Sequence, residues 1–332
     1  MQMKVGNLAT TDKVLEVNNL TMHYSTRRGP VYAVDGVSLS LERGGSLGLV
    51  GESGCGKTSV AISLLKLLPE NADILEGEIR INGTDLVPLS EDEVRAYRWR
   101  DISMVFQAAM NSLNPVYTVE DQIVEAMEQH MPQMSEDQMS ARVDQLFELV
   151  GLDPTIKTEY PHQYSGGMRQ RAVIAMALSC NPDVIIADEP TTALDVIVQD
   201  QLLKKIKEVQ EQLDMAMIYI SHDIAVIAEV AERVGVMYAG KMAELAPSDE
   251  IFHRPLHPYT MGLMSSFPSI IGEKTDLVTI PGEPPDLLDP PPGCRFHPRC
   301  PFATEICRTD EPEFKEHAPE HWTACWHPGG EA

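Results

Sequence analysis

The chain has 332 residues, 43% of them apolar, enough for one large domain with an extension or for two domains. Its 50 acidic and 26 basic side chains give a formal charge of −24, which excludes binding to nucleic acid or anionic lipid through counterion release or a polybasic patch. No apolar run reaches the roughly 18–20 residues that span a bilayer, and residues 1–13 lack the layout of a secretory signal, so a cytosolic globular protein is expected.

Residues 14–17 and 37–41 read as short strands framing a turn-rich segment with Arg27-Arg28-Gly29-Pro30, which leaves Tyr24 in a loop. An aromatic there either stacks on a nucleotide base or is an ordinary core or surface tyrosine. Residues 46–50 form a buried apolar run and residues 59–65 carry helical spacing. Between them, Gly51-Glu52-Ser53-Gly54-Cys55-Gly56-Lys57-Thr58 fits the phosphate-loop pattern G-x-x-x-x-G-K-[ST]. Its glycines let successive N–H groups and the positive end of the helix face one phosphate chain. Lys57 would reach the β- and γ-phosphates and the Thr58 hydroxyl would hold Mg²⁺. Gly51, Ser53, Gly54, Cys55, Gly56, Lys57, Thr58 and Ser59 are the candidate nucleotide-binding positions, Cys55 serving only as a spacer.

Residues 77–83 read as a strand ending in an Asn-Gly turn, and residues 102–106 as a buried strand followed by Gln107. Apolar residues at 3–4 spacing over 118–151 predict a helical insertion. Ser165-Gly166-Gly167 leads into a helix over 172–179 that Asn181-Pro182 stops. Residues 184–187 form a buried strand ending in Asp188-Glu189; a helix over 196–213 and a strand over 216–220 then deliver Ser221-His222-Asp223. A hairpin around Ala239-Gly240 closes the globular part, and the alternation predicts an α/β fold with a largely parallel sheet. From 281 to 301, eight of 21 residues are proline, which rules out regular helix or central strand there.

Phosphoryl transfer to water needs a phosphate cradle, a metal and a positioned water. Asp188 and Glu189 end a buried strand, so they open onto the sheet edge where ligands bind in open α/β folds. Asp188 would serve Mg²⁺, Glu189 would deprotonate the attacking water, Gln107 would touch both, and His222 would reach the γ-phosphate. Ser165-Gly166-Gly167 makes a second anion site at a helix start. One chain does not need two such loops for one ATP, so the second is expected to clamp the nucleotide of a partner subunit.

These residues, with Gln170 and Ala193-Leu194-Asp195, occur in the order of an ABC-type ATPase, and the resemblance covers about residues 14–260. Ser112-Leu113-Asn114-Pro115, His257-Pro258-Tyr259-Thr260 and Cys294-Arg295-Phe296-His297-Pro298-Arg299-Cys300-Pro301 resemble the ATP-binding subunits of dipeptide/oligopeptide permeases. Pro285-Asp286-Leu287-Leu288 is similar to the D-type member of the paired subunits. The resemblance implies a RecA-like core with an antiparallel β subdomain and an inserted helical subdomain, about 108–166. A cassette over 13–260 would be followed by a short irregular Cys-rich extension over 261–332. Tyr24 would take the base-stacking position. Ser165, Gly166, Gly167, Gln170 and Asp195 would act across an ATPase dimer. The implied assembly is an importer at the cytoplasmic face of the membrane, with a second, related ATPase, two permeases and an extracytoplasmic substrate-binding protein. Nickel or oligosaccharide cargo, or a soluble non-transport ATPase, are the alternatives. Ala108-Ala109 replaces a more usual Asp-Pro, and Thr192 a more usual Ser.

Cys294, Cys300, Cys307 and Cys325 are spaced C-x5-C-x6-C-x17-C. This fits neither ferredoxin patterns nor the tight pairs of most zinc fingers. Four thiolates could still ligate a [4Fe–4S] cluster, which the family resemblance favours, or one zinc ion with His297, His321 or His327 nearby. Either metal would give the proline-rich tail something to fold around.

Overall fold

The computed structural model describes residues 13–107, 109–192, 194–266 and 280–330. Strands β1 (Lys13–Thr26) and β2 (Gly29–Glu42) open the chain as a long hairpin, and β3 (Ser46–Val50) runs into α1 (Lys57–Leu64). β4 (Ala72–Ile81), β5 (Thr84–Asp85), α2 (Glu91–Arg95) and β6 (Ile102–Val105) follow. Next come helices α3 (Val119–His130), α4 (Glu136–Val150) and α5 (Gly166–Ala177). β7 (Val184–Asp188), α6 (Val196–Leu213), β8 (Ala216–Ile220) and α7 (Ile224–Val230) then alternate. β9 (Arg233–Tyr238), β10 (Lys241–Pro247), α8 (Ser248–His253) and α9 (Pro258–Ser265) lead to the extension, which carries α10 (Glu305–Thr309), β11 (Lys315–Ala318) and β12 (His321–Thr323).

The main sheet has the order β11-β12-β10-β9-β3-β8-β7-β6. It is parallel from β6 through β9 and antiparallel beyond. β3, β7 and β8 are buried along their whole length because the sheet is covered on both faces. Leu47, Leu49, Ile186, Ile218 and Ile220 face a second, antiparallel sheet of order β2-β1-β4-β5, while Ile185, Ala187, Met217 and Tyr219 face the helices. The parallel register, with Val105 opposite Ala187, Asp188 opposite Ile220 and Leu49 opposite Ile220, brings the C-terminal ends of these strands to one edge.

Capping boxes at Thr118/Asp121 and Ser135/Gln138 start α3 and α4, and Gly151 in the left-handed region ends α4. Their buried residues (Ile123 and Met127; Met139, Val143, Leu146 and Phe147) keep the helical spacing read from the sequence.

Two local expectations change. The first two strands are longer than their alternation suggested, because register shifts on either side of Leu20, next to Asn19 at φ 49°, break the period. Tyr24 therefore lies on β1, opposite Val31 and Ala72, and not in a loop. α5 starts where Ser165-Gly166-Gly167 is expected to open a helix, and so takes in residues 166–171 ahead of the 172–179 stretch, with the Ser165 hydroxyl capping it by accepting from the Met168 N–H at 3.3 Å. The extension is not wholly irregular: β12 pairs with β10 through Glu244↔Thr323 and Leu245↔Trp322, continuing the main sheet.

Beyond this pairing, side chains of the extension are anchored on the cassette at several points. Buried Glu244 accepts from His321 Nε2 at 2.6 Å and from the backbone N–H groups of Leu256 (2.7 Å) and His257 (2.9 Å). Phe296 is buried with its ring centroid 5.2 Å from that of Tyr238 and 5.4 Å from that of Tyr259. Arg299, also buried, reaches the phosphate loop.

Candidate active site

The strand–loop–helix turn after β3 demands glycine at two crowded points. A Cβ on Gly51 would lie 2.2 Å from the Met237 carbonyl oxygen, and one on Gly56 would lie 2.1 Å from that of Ala33. Both glycines also have positive φ, 149° and 107°. Lys57 Nζ is buried inside the loop, donating to the carbonyls of Gly51 (2.7 Å) and Glu52 (3.1 Å). Thr58 Oγ1 donates to Asp188 Oδ2 at 2.8 Å, so the first residue after the lysine meets the end of β7.

Glu189 follows Asp188 with φ 48°, an uncommon conformation for a non-glycine residue. That turn aims its carboxylate at three donors from separate segments. Gln107 Nε2 donates at 2.8 Å, Thr192 Oγ1 at 2.9 Å, and His222 Nδ1 lies 2.8 Å away. Burial pushes Glu189 up, but the bonds from His222, Thr192 and Gln107 and the charge of His222 carry it below the ordinary glutamate value. Asp188 goes the other way, raised by burial and by Glu189 against the opposing Thr58 bond and Lys57 charge.

Lys57, Thr58, Gln107, Asp188, Glu189 and His222 line a cavity of 640 Å³ with Ser53, Gly54, Gly56 and Ser59; Tyr24 and Val31 stand on its wall. The Tyr24 hydroxyl lies 3.3 Å from Ser59 Oγ. Ser165, Gly166, Gly167, Gln170 and Asp195 do not line it. Ser165 and Asp195 cap α5 and α6, and Gln170 is buried. Leu287, from the proline-rich segment, does line it, and no sequence signal marked that residue as a contact.

The iron–sulfur expectation is overturned, and the zinc alternative with it. Among the described residues no group of three or more His, Cys, Asp or Glu side chains could hold a metal ion, and Cys294, Cys300, Cys307 and Cys325 are free. Burial pushes Cys294 up to about 11 and Cys325 up to about 12, so both rest as neutral thiols. Phe296, Arg299 and the Glu244–His321 pair anchor the segment in its place.

Hydrolysis of a nucleoside triphosphate asks for positioning and electrostatics more than covalent chemistry, and that is what the strand-end edge supplies. Fold and site together define an ATPase cassette. Residues 34–192 match the ABC transporter family, and residues 243–307 match the oligopeptide/dipeptide transporter C-terminal region. The chain is 48% identical to the dipeptide transport ATP-binding protein DppD of Bacillus subtilis (strain 168), covering 95% of each chain. It is 45% identical to the oligopeptide transport ATP-binding protein OppD of the same organism, over 95% of this chain and 88% of that one. Among solved structures, the dimeric bacterial ABC transporter cassette MJ0796 matches with a TM-score of 0.63 and 27% identity, over 70% of this chain and 98% of that chain. The same cassette, in a post-hydrolysis state bound to ADP and Pi, matches with a TM-score of 0.61. The chain thus belongs to the ABC transporter ATP-binding subunits of the dipeptide/oligopeptide permease family.

Proposed function

We propose that the chain binds and hydrolyses ATP to drive import of dipeptides or oligopeptides, as one of two ATPase subunits beneath two permeases fed by an extracytoplasmic binding protein. The observation that carries the reading is Glu189, held by Gln107, Thr192 and His222 beside the Thr58–Asp188 pair. In this role Glu189 takes the proton of the attacking water and Gln107 orients that water. Lys57 and the loop N–H groups cradle the phosphates, and Tyr24 packs against the base. Thr58, Asp188 and Gln107 offer the hard oxygen donors that suit Mg²⁺, which when bound neutralises phosphate charge.

The dimer reading draws on Val196 and Ile197, 80% and 71% exposed directly after Asp195. Covering them with a second ATPase would bring the Ser165–Gly167 helix start to the partner's nucleotide. The permease reading draws on a groove of 860 Å³ lined by Phe106, Tyr117, Val173 and Met176. Phe106 and Tyr117 are exposed there, and Asp121, Glu125 and Glu128 line it as well, a suitable seat for a short amphipathic helix with basic ends. No helix among the described residues is long and apolar enough to cross a membrane, so the attachment to the cytoplasmic face would be through the permeases. Residues 13–260 act as the cassette and 261–332 as its extension.

The test is phosphate release by the full chain with Mg-ATP, paired with uptake of a labelled dipeptide by cells lacking the chain. ATP turnover with restored uptake on complementation is expected. Absence of ATP binding, or uptake independent of the chain, would reject the reading.

A further inference from the structure

Glu52 is a free position in the phosphate-loop pattern, yet each of its polar groups is engaged. Its carboxylate takes two bonds from Arg299, Nη1 to Oε2 at 2.6 Å and Nη2 to Oε1 at 2.9 Å. Its N–H donates to the Tyr259 hydroxyl at 2.9 Å, and its carbonyl accepts from Lys57 Nζ at 3.1 Å. Two of these partners, Arg299 and Tyr259, lie more than 200 residues away at the C-terminal end of the chain.

Arg299 is built for this contact. Its side chain is 6% exposed, and its remaining donors go to the carbonyls of Pro281 (2.8 Å) and Gly282 (3.3 Å) and to the Tyr238 hydroxyl (3.3 Å). A lysine has neither the planar fork nor enough donors to replace it. Electrostatics supplies the reason for the pair. A carboxylate in a loop that cradles polyphosphate would repel its ligand, and a bidentate guanidinium cancels that charge.

The same segment also contributes Leu287 to the lining of the cavity. The Asp286 carboxylate accepts from the Leu288 N–H at 3.0 Å, a tight turn that presents Leu287 to the wall shared with Tyr24 and Val31.

We infer that the proline-rich extension is part of the nucleotide site. Arg299 is a positioning residue that neutralises Glu52 and fixes the phosphate loop, and Leu287 forms part of the base-facing wall. This rests on the ATPase reading and adds to it a role for a segment outside the cassette.

The experiment is calorimetric titration of the full chain with MgADP and, separately, with magnesium pyrophosphate, which has no base. Arg299→Met should weaken both ligands by about tenfold, the effect of one uncompensated charge at partly screened range. Glu52→Gln in the same chain should restore affinity to within about threefold of the parent, since the repelling charge is gone. A residue that merely held the fold would show no such rescue. Leu287→Ala should weaken MgADP by about threefold and leave pyrophosphate unchanged, from lost apolar contact alone. If Arg299→Met does not fold, Arg299→Lys takes its place, with an intermediate loss expected. Parent-like affinity in the Arg299 variant, or failure of Glu52→Gln to rescue it, overturns the role of Arg299. Equal effects of Leu287→Ala on both ligands overturn that of Leu287. A parent chain that binds neither ligand rejects the ATPase reading itself, and this inference with it.

Discussion

Glu189 and His222 end neighbouring strands, β7 and β8, and meet carboxylate to ring at 2.8 Å. The bond couples the proposed base to the proposed γ-phosphate contact, so the two should fail in different ways when changed. Glu189→Gln keeps the shape and loses the base. Phosphate release should fall by about 10²-fold or more, the usual contribution of a positioned general base, while ATP binding is retained. Filter binding beside a phosphate assay checks this; undiminished turnover would reassign Glu189.

Tyr24 should act on affinity alone. Removing an aromatic that packs on a base costs roughly 1–3 kcal/mol, so Tyr24→Ala should raise the KM for ATP by about tenfold or more with kcat little changed. The alternative of an ordinary wall tyrosine predicts an unchanged KM. Steady-state kinetics separates the two.

The groove beside α3 offers a test of coupling. Tyr117 is 55% exposed and lies far in sequence from the phosphate loop. Tyr117→Asp should leave ATP binding by the purified chain unchanged, yet abolish co-purification with the permeases and dipeptide uptake. Normal uptake by this variant would place the permease contact elsewhere.

His257 supplies a pH dependence of stability. Burial pushes its ring down from 6.5 to about 4, against the opposing pull of Glu244 and a bond involving Ala324. Between those values the unfolded chain takes up a proton that the native chain refuses. Stability is therefore complete above 6.5 and is lost as pH falls toward 4, by an amount on the order of 3 kcal/mol. The neutral ring is also what accepts the Tyr259 N–H at 3.0 Å to cap α9. Urea midpoints at neutral pH and at about pH 5 should differ less for His257→Asn, which keeps a cap without a titrating ring. An unaltered pH difference would exclude His257 as its source.

Most of the candidate site was legible because its residues are marked locally. Glycine spacing defines the loop, and an unbroken apolar run ending in Asp188-Glu189 defines a strand end, whatever lies around them. α6 and β8 begin and end where the pattern placed them, since neither contains a bulge or an early cap. Tyr24 was misplaced because a bulge at Asn19 breaks the alternation on which strand reading depends. The Arg299–Glu52 and Leu287 contacts leave no periodic trace, for they join residues that only the folded chain brings together. The cysteines misled for a related reason. A proline-rich tail looked too poor in core to fold unaided, whereas it borrows the core of the cassette through Phe296 and the edge of its sheet through β12.

That borrowed edge also changes what the protein shows to its neighbours. Without the hairpin, β10 would offer a largely apolar ladder, Met242 to Ala246, for strand-to-strand association. With it, the outermost strand is β11, four exposed residues reading Lys-Glu-His-Ala. So short and charged a margin is a poor template for sheet growth, and a chain cut before residue 315 should aggregate even with its ATP site intact.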